Sequence, residues 1–287
     1  MKKDGIFLAI ILLMVCCATK INAQVPLWKT MPDIPIMPKA EESGLAPVND
    51  IHMYYAIFNK GGKDPVILLH GGFVNSDFWG YEVPLLSKTH EVIIADSRGH
   101  GRSTMTDQPF SYNLMSTDVL QLMNYLKIKK ISIVGWSDGG IIGLILAIQH
   151  PDRINKLFTY GTNFNHSGYS TEPLDTVMFV KFMAKVKADY LRLSPFPNDF
   201  IKFRNAIGKM YTAEPNLQPE EIKKIKAPTV IARGQYEQFI KPEHFEELTH
   251  LIPGAKLVII PNVSHGGPLQ DPVRFHQAVM NLLDVLH

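Results

Sequence analysis

Short apolar runs recur along the chain at residues 65–69, 92–95, 131–134, 157–160, 229–232 and 257–260. Runs of this length without polar alternation predict strands buried on both faces, and the segments between them read as helices. Strands alternating with helices predict a mostly parallel sheet covered on each side. Upstream, residues 51–58 predict a further strand that ends in the hairpin-type turn Asn59-Lys60-Gly61-Gly62. The alternation stops from Phe164 to about Ala227, where residues 176–191 and 198–211 read as helices rich in Met, Phe, Tyr and Lys. An apolar helical insertion there is expected to lie over the strand ends as a lid.

At the start of the chain, Lys2 and Lys3 precede an unbroken apolar run over 6–18, and the small residue Ala23 stands before Gln24. This pattern predicts a secretory signal peptide over 1–23. The 13 apolar residues fall short of the roughly 20 that a spanning helix needs. Cleavage is therefore expected, with export to the periplasm or the exterior and no stable membrane anchor afterwards. Residues 24–49 are rich in proline and read as an extended lead-in that carries no chemistry. The core is then expected over 50–163 and 228–287, with the insertion over 164–227.

Composition narrows the chemistry. A 46% hydrophobic content over 287 residues suffices for a large core. Cys16 and Cys17 both lie in the expected leader, so the exported chain would hold no disulfide, thiol nucleophile or thiolate metal site. The chain has 29 basic and 27 acidic residues, and the leader takes three lysines and one aspartate of these, leaving 26 against 26. A neutral balance argues against nucleic acid or another polyanion as partner.

The sharpest local signal is Gly135-Trp136-Ser137-Asp138-Gly139-Gly140, set between the apolar run 131–134 and the helix-like stretch 141–148. A serine on a tight strand-to-helix turn needs glycines at 135 and 139, because no Cβ fits behind so sharp an elbow. The N-terminal amides of the following helix, and the positive end of its dipole, point at the same spot. The pattern is G-x-S-x-G, the nucleophile elbow.

With the elbow in place, the chain from about Ile51 to His287 resembles the α/β-hydrolase superfamily. His70-Gly71-Gly72-Phe73 is similar to its HG oxyanion loop, and Asp96-Ser97-Arg98-Gly99-His100-Gly101-Arg102-Ser103 to its D-x-R-G-x-G-x-S segment. The elbow wording is similar to the valacyclovir hydrolase (biphenyl hydrolase-like) branch. The resemblance implies an eight-stranded, mostly parallel sheet with helices on both faces and a helical lid forming most of an acyl pocket. It also implies the chain order Ser, acid, His for a catalytic triad. A serine hydroxyl needs a base, and the base needs a carboxylate to orient it. His265, just beyond the run ending at Ile260, stands at the family's histidine position. Glu237, in Gly234-Gln235-Tyr236-Glu237, stands where the family usually has Asp. Its extra methylene asks for a turn slightly farther from His265. Asp96 and Asp138 are the other carboxylates to weigh, Asp96 suiting the organisation of its own loop.

The implied oxyanion hole uses the backbone N–H groups of Gly72 and Asp138. Phe73, Trp136, Asp138 and His166 are candidate substrate contacts, His166 at the lid hinge. The Asp138 side chain has two readings: recognition of a substrate amino group, as implied by the valacyclovir hydrolase branch, or satisfaction of helix N-terminal amides. The expectation is a serine-dependent, carboxylesterase-like hydrolase acting on small carboxylic esters, with aminoacyl esters or small amides within reach, and with no metal or organic cofactor. The same triad also serves perhydrolases and carbon–carbon hydrolases, and a catalytically silent ligand-binding protein is the rival from another class. Dehalogenase and epoxide hydrolase chemistry is disfavoured, because their nucleophile is Asp and residue 137 is Ser.

Overall fold

A computed structural model describes residues 25–172 and 175–284. The leader expected over 1–23 lies outside the described residues. Eight strands form one sheet: β1 (Glu42–Val48), β2 (Ile51–Phe58), β3 (Lys63–Leu69), β4 (His90–Ala95), β5 (Ile131–Trp136), β6 (Ile154–Tyr160), β7 (Thr229–Gly234) and β8 (Lys256–Ile260). Their order is β1-β2-β4-β3-β5-β6-β7-β8. Pairing is antiparallel at β1/β2 and β2/β4 and parallel from β4 through β8.

Each predicted run became a strand, and all but the edge run of β8, where Ile259 is exposed, are buried within the sheet's layers. β5 is buried throughout, and Val66 to Leu69 of β3 and Val92 to Ala95 of β4 are likewise inaccessible. The helices are α1 (Glu82–Leu86), α2 (Tyr112–Tyr125), α3 (Asp138–Gln149), α4 (Thr176–Leu193), α5 (Phe200–Tyr211), α6 (Pro219–Ile222), α7 (Pro242–Leu251), α8 (Gly267–Gln270) and α9 (Pro272–Leu283), with α4 and α5 in the insertion. On one face α3 rests on β3, β5 and β6 beside α2, while on the other α9 rests on β6 and β8 beside α1.

Two expectations about boundaries need correction. The lead-in over 24–49 is not merely extended chain: residues 42–48 form β1, paired with β2 from Glu42↔Ile57 to Val48↔Ile51. A two-residue turn with Asn49 at φ 47° closes this hairpin. Glu, Ser, Gly and Pro are poor strand formers, so β1 exists through the edge it pairs with rather than through its own propensity. The insertion also ends earlier than residue 227. Its neck is pinned where Asn165 bridges Asn216 and the Leu217 N–H donates to the Phe164 carbonyl at 2.9 Å. From there α6 already packs on α3 and α7.

The loop after β4 is tied down by charge. Arg98 and Asp118 are both fully buried and joined by two bonds of 2.6 and 2.7 Å, with Asn49 donating to the same carboxylate at 2.6 Å. One guanidinium thereby links the β4 loop, α2 and the β1/β2 turn. Removing a single partner of such a pair leaves an uncompensated buried charge, which costs about 3–5 kcal/mol. Asp118→Ala should therefore lower the free energy of urea unfolding by about that amount, and a change below about 1 kcal/mol would show that the pair is dispensable.

Candidate active site

The parallel strands end in register, which gathers their C-terminal loops on one rim. Leu69 of β3 is level with Gly135 of β5, and Trp136 with Tyr160 of β6. Ser137 follows β5 at φ 53°, ψ −116°, a left-handed value that L-residues rarely adopt. The strain persists because the surroundings admit nothing else. A Cβ on Gly139 would lie 2.1 Å from the Leu69 carbonyl oxygen, and one on Gly135 would lie 2.5 Å from the Gly139 backbone. The Ser137 N–H donates to the Tyr160 carbonyl at 2.8 Å, and α3 starts at the next residue.

Two and three strands further along the sheet, the turn after β7 carries Glu237 and the turn after β8 carries His265. Both Glu237 carboxylate oxygens lie 2.9 Å from His265 Nδ1, and the carboxylate side chain has no exposed surface. The longer side chain does reach the histidine, and the Phe239 N–H holds it by donating to Oε1 at 2.9 Å. The imidazole is itself fixed: its backbone N–H donates to Gln238 Oε1 at 3.1 Å, Trp136 Nε1 donates to its carbonyl at 2.9 Å, and the Phe239 ring packs edge-on at 4.8 Å. Gly161, at φ 62°, makes room for this pair, because a Cβ there would lie 2.7 Å from the imidazole. Ser137 and His265 line one cavity, although no hydrogen bond joins the serine Oγ to the ring among the described residues.

The HG loop passes beside the elbow, with the missing Cβ of Gly71 3.2 Å from Ser137 Cβ. Among the described residues no acceptor engages the N–H of Gly72 or of Asp138, the first residue of α3. The loop is held by its histidines: Ser97 N–H donates to His70 Nε2 at 3.0 Å, and Phe73 N–H donates to His100 Nε2 at 3.2 Å. Asp96 accepts from the backbone N–H groups of Ser76 and Arg102, each at 2.8 Å, and so organises its own loop.

Asp138 corrects one reading of its side chain. It does not cap helix amides; it accepts from the hydroxyls of Tyr112 and Tyr211, each at 2.9 Å. Tyr211 belongs to α5, so the insertion is fastened to the elbow through this carboxylate. Burial pushes the Asp138 pKa up to about 6, against the opposing pull of the two tyrosine hydroxyls and of His265.

The cavity holding Ser137 has a volume of about 810 Å³. Phe73, Trp136 and Asp138 line it, together with Met178 and Phe182 of α4, Tyr211 of α5 and Phe239. His166 does not. Asn165 accepts from Ser167 N–H at 3.0 Å, forming a tight turn that leaves His166 exposed, and Tyr169 lines the cavity instead. Residues 28–32, in the segment expected to carry no chemistry, also form part of the wall. They are held there by Trp28 stacking on Tyr236 at 4.6 Å and by Gln270 donating to the Thr30 carbonyl at 2.9 Å. No group of three or more His, Cys, Asp or Glu among the described residues is arranged to hold a metal ion.

The chain belongs to the alpha/beta hydrolase fold family, whose model matches residues 64–218. It is 25% identical over 266 residues to the serine hydrolase BPHL of Mus musculus, covering 85% of this chain and 87% of that one. It is 26% identical over 257 residues to the putative carbamate hydrolase RutD of Caulobacter sp. strain K31, covering 80% and 95%. Among solved structures it is similar to the enol-lactonase from Burkholderia xenovorans LB400, with a TM-score of 0.69, 25% identity and coverage of 84% and 100%. The protein is thus a hydrolase of the α/β-hydrolase superfamily, resembling serine hydrolases of the biphenyl hydrolase-like branch.

Asp138 sets a measurable pH dependence. Its folded pKa is raised, so the folded state holds this proton more tightly than the unfolded chain does. The resulting stabilisation is fully present below about 3.8 and is lost as pH rises through about 6. Relative to Asp138→Asn, the parent protein should lose on the order of 3 kcal/mol of stability across that window. Urea titrations of both proteins at several pH values measure the difference, and a pH-independent gap between them would exclude a burial-raised Asp138.

Proposed function

We propose that this hydrolase cleaves carboxylic esters through an acyl-enzyme, with Ser137 as nucleophile, His265 as general base and Glu237 as the orienting acid. One observation carries the reading: a strained serine on the elbow shares a cavity with a histidine whose Nδ1 is held at 2.9 Å by a buried carboxylate. Glu237 fixes the tautomer with its proton on Nδ1, leaving Nε2 to accept the serine proton as Oγ attacks the ester carbonyl. The N–H groups of Gly72 and Asp138 receive the oxyanion, Asp138 with the added field of the α3 N-terminus. Collapse of the tetrahedral intermediate returns the proton from Nε2 to the leaving alkoxide, releasing an alcohol. Water, deprotonated by the same nitrogen, then attacks the acyl carbon and releases the carboxylic acid and free Ser137. The insertion serves as the lid over this chemistry, and the chain acts outside the cytoplasm once residues 1–23 are removed.

A fluorophosphonate probe should label the purified protein and leave Ser137→Ala unlabelled. Ser137→Ala and His265→Ala should each lower turnover of a p-nitrophenyl ester by at least about 10³-fold, since the triad acts as a unit. Glu237→Gln should cost about 10³–10⁴-fold. Near-parental turnover in folded Ser137→Ala or His265→Ala would exclude the mechanism, and full activity in Glu237→Gln would move the acid elsewhere.

A second reading, for esters that carry an ammonium group, is favoured by the Asp138 carboxylate. It lines the cavity directly beside the nucleophile, and the two tyrosines take only part of its accepting capacity. Asp138→Asn should then reduce kcat/KM for aminoacyl esters at least about tenfold more than for matched simple acyl esters. Equal losses on both would leave Asp138 as the anchor of Tyr112 and Tyr211 only.

A further inference from the structure

The outer surface of the insertion is composed unlike a solvated helix face. α4 already buries one side, with Val186 and Tyr190 inaccessible and Met178, Phe182 and Met183 half-buried. Its opposite side nevertheless repeats Val177, Val180, Ala184 and Leu191 at helical spacing, all exposed, with Val177 and Val180 each 65% accessible. Of the fourteen large apolar side chains exposed among the described residues, six lie between Val177 and Ile201.

Charge is skewed on the same surface. Seven of the chain's 29 basic residues but only two of its 27 acidic ones fall in 176–211, so this segment carries a net charge of +5 in a chain of +2. Among the described residues Lys181, Lys187, Arg204 and Lys209 are exposed and have no carboxylate within ion-pair distance. Between α4 and α5 runs an open groove of about 750 Å³, apolar along its floor, with Lys187 and Arg204 among its lining residues. Phe73 and Phe179 line both this groove and the Ser137 cavity, so the two spaces adjoin.

We propose that the outer face of α4 and α5 docks on an anionic lipid bilayer and holds the mouth of the site against it. Exposed aliphatic residues interleaved with lysines are what an interfacial helix requires: apolar side chains enter the boundary region while cations meet lipid phosphates. No helix among the described residues is long and apolar enough to cross a membrane, so α4 lies on the surface rather than spanning it. The docking does not rest on the serine chemistry, and a Ser137→Ala protein binds as the parent does.

The test is co-sedimentation of the full chain with vesicles of equal phosphatidylglycerol and phosphatidylcholine, compared with phosphatidylcholine alone. Binding should be at least about tenfold tighter to the anionic vesicles and should weaken at least about tenfold on raising salt from about 0.05 to 0.5 M. The triple variant Lys181→Glu/Lys187→Glu/Arg204→Glu should lose at least about tenfold in affinity, and Val177→Ser/Val180→Ser several-fold. Both should turn over a water-soluble short-chain ester at the parental rate, which also reports that they fold. Equal affinity for the two vesicle types would overturn the proposal, as would a folded triple variant that binds like the parent, since that would assign the binding to the apolar residues 6–18. A stable dimer that Val177→Ser/Val180→Ser dissociates would assign the face to a second copy and overturn it equally.

Discussion

The structure depends on one close approach. The start of α3 presses against the end of β3 with the Gly139 backbone so near the Leu69 carbonyl that no side-chain carbon fits between them. That contact lets the chain reverse from β5 into α3 across a single residue, which must then take a left-handed conformation. Two benefits of position follow. The residue at the turn is lifted clear of the sheet, and the unpaired amides of α3 point towards it. The HG loop leaves β3, the strand beside β5, so the register of a single strand pair places Gly71 against the same serine and Gly72 beside Asp138 and Tyr211.

Two buried carboxylates belong to the candidate site, one on His265 and one next to Ser137 in the chain, and the protein treats them differently. Glu237 faces an imidazole with both oxygens, so a positive charge arising on that ring has its counter-charge in place. Asp138 is satisfied by two neutral hydroxyls, and desolvation dominates its ionisation. Paired charge in one case and shared hydrogen bonds in the other separate the roles open to the two carboxylates. The spare methylene of glutamate is absorbed by its turn, where the Phe239 N–H binds the carboxylate and the absent Cβ of Gly161 lets the imidazole approach.

The insertion joins the site to the surface. Its two ends are bridged to each other at Asn165 and Asn216, and Tyr211 of α5 reaches the Asp138 carboxylate, so α5 is anchored at the elbow as well. α4 offers apolar residues in two directions, inwards to the cavity and outwards between lysines.

Much of this was readable in the chain because the determinants are local. The elbow is spelled by glycines two residues either side of Ser137 and the strands by uninterrupted apolar runs, while Glu237 and His265 were pointed to by the family positions that the resemblance implies. The cavity wall was not readable in the same way. β1 has little strand propensity and is held by β2; residues 28–32 are tied to the site through Tyr236 and Gln270, more than two hundred positions later. Tyr112 and Tyr211 meet on Asp138 from segments 26 and 73 residues away. His166 and Tyr169 are both polar aromatics near the same hinge, and a single Asn165 turn decides which faces inwards. Backbone strain and strand burial are imposed by immediate neighbours and so leave a pattern in sequence. The shape of a cavity is set by whichever distant side chains the folded chain brings to its rim, and that choice exists only once the sheet has assembled.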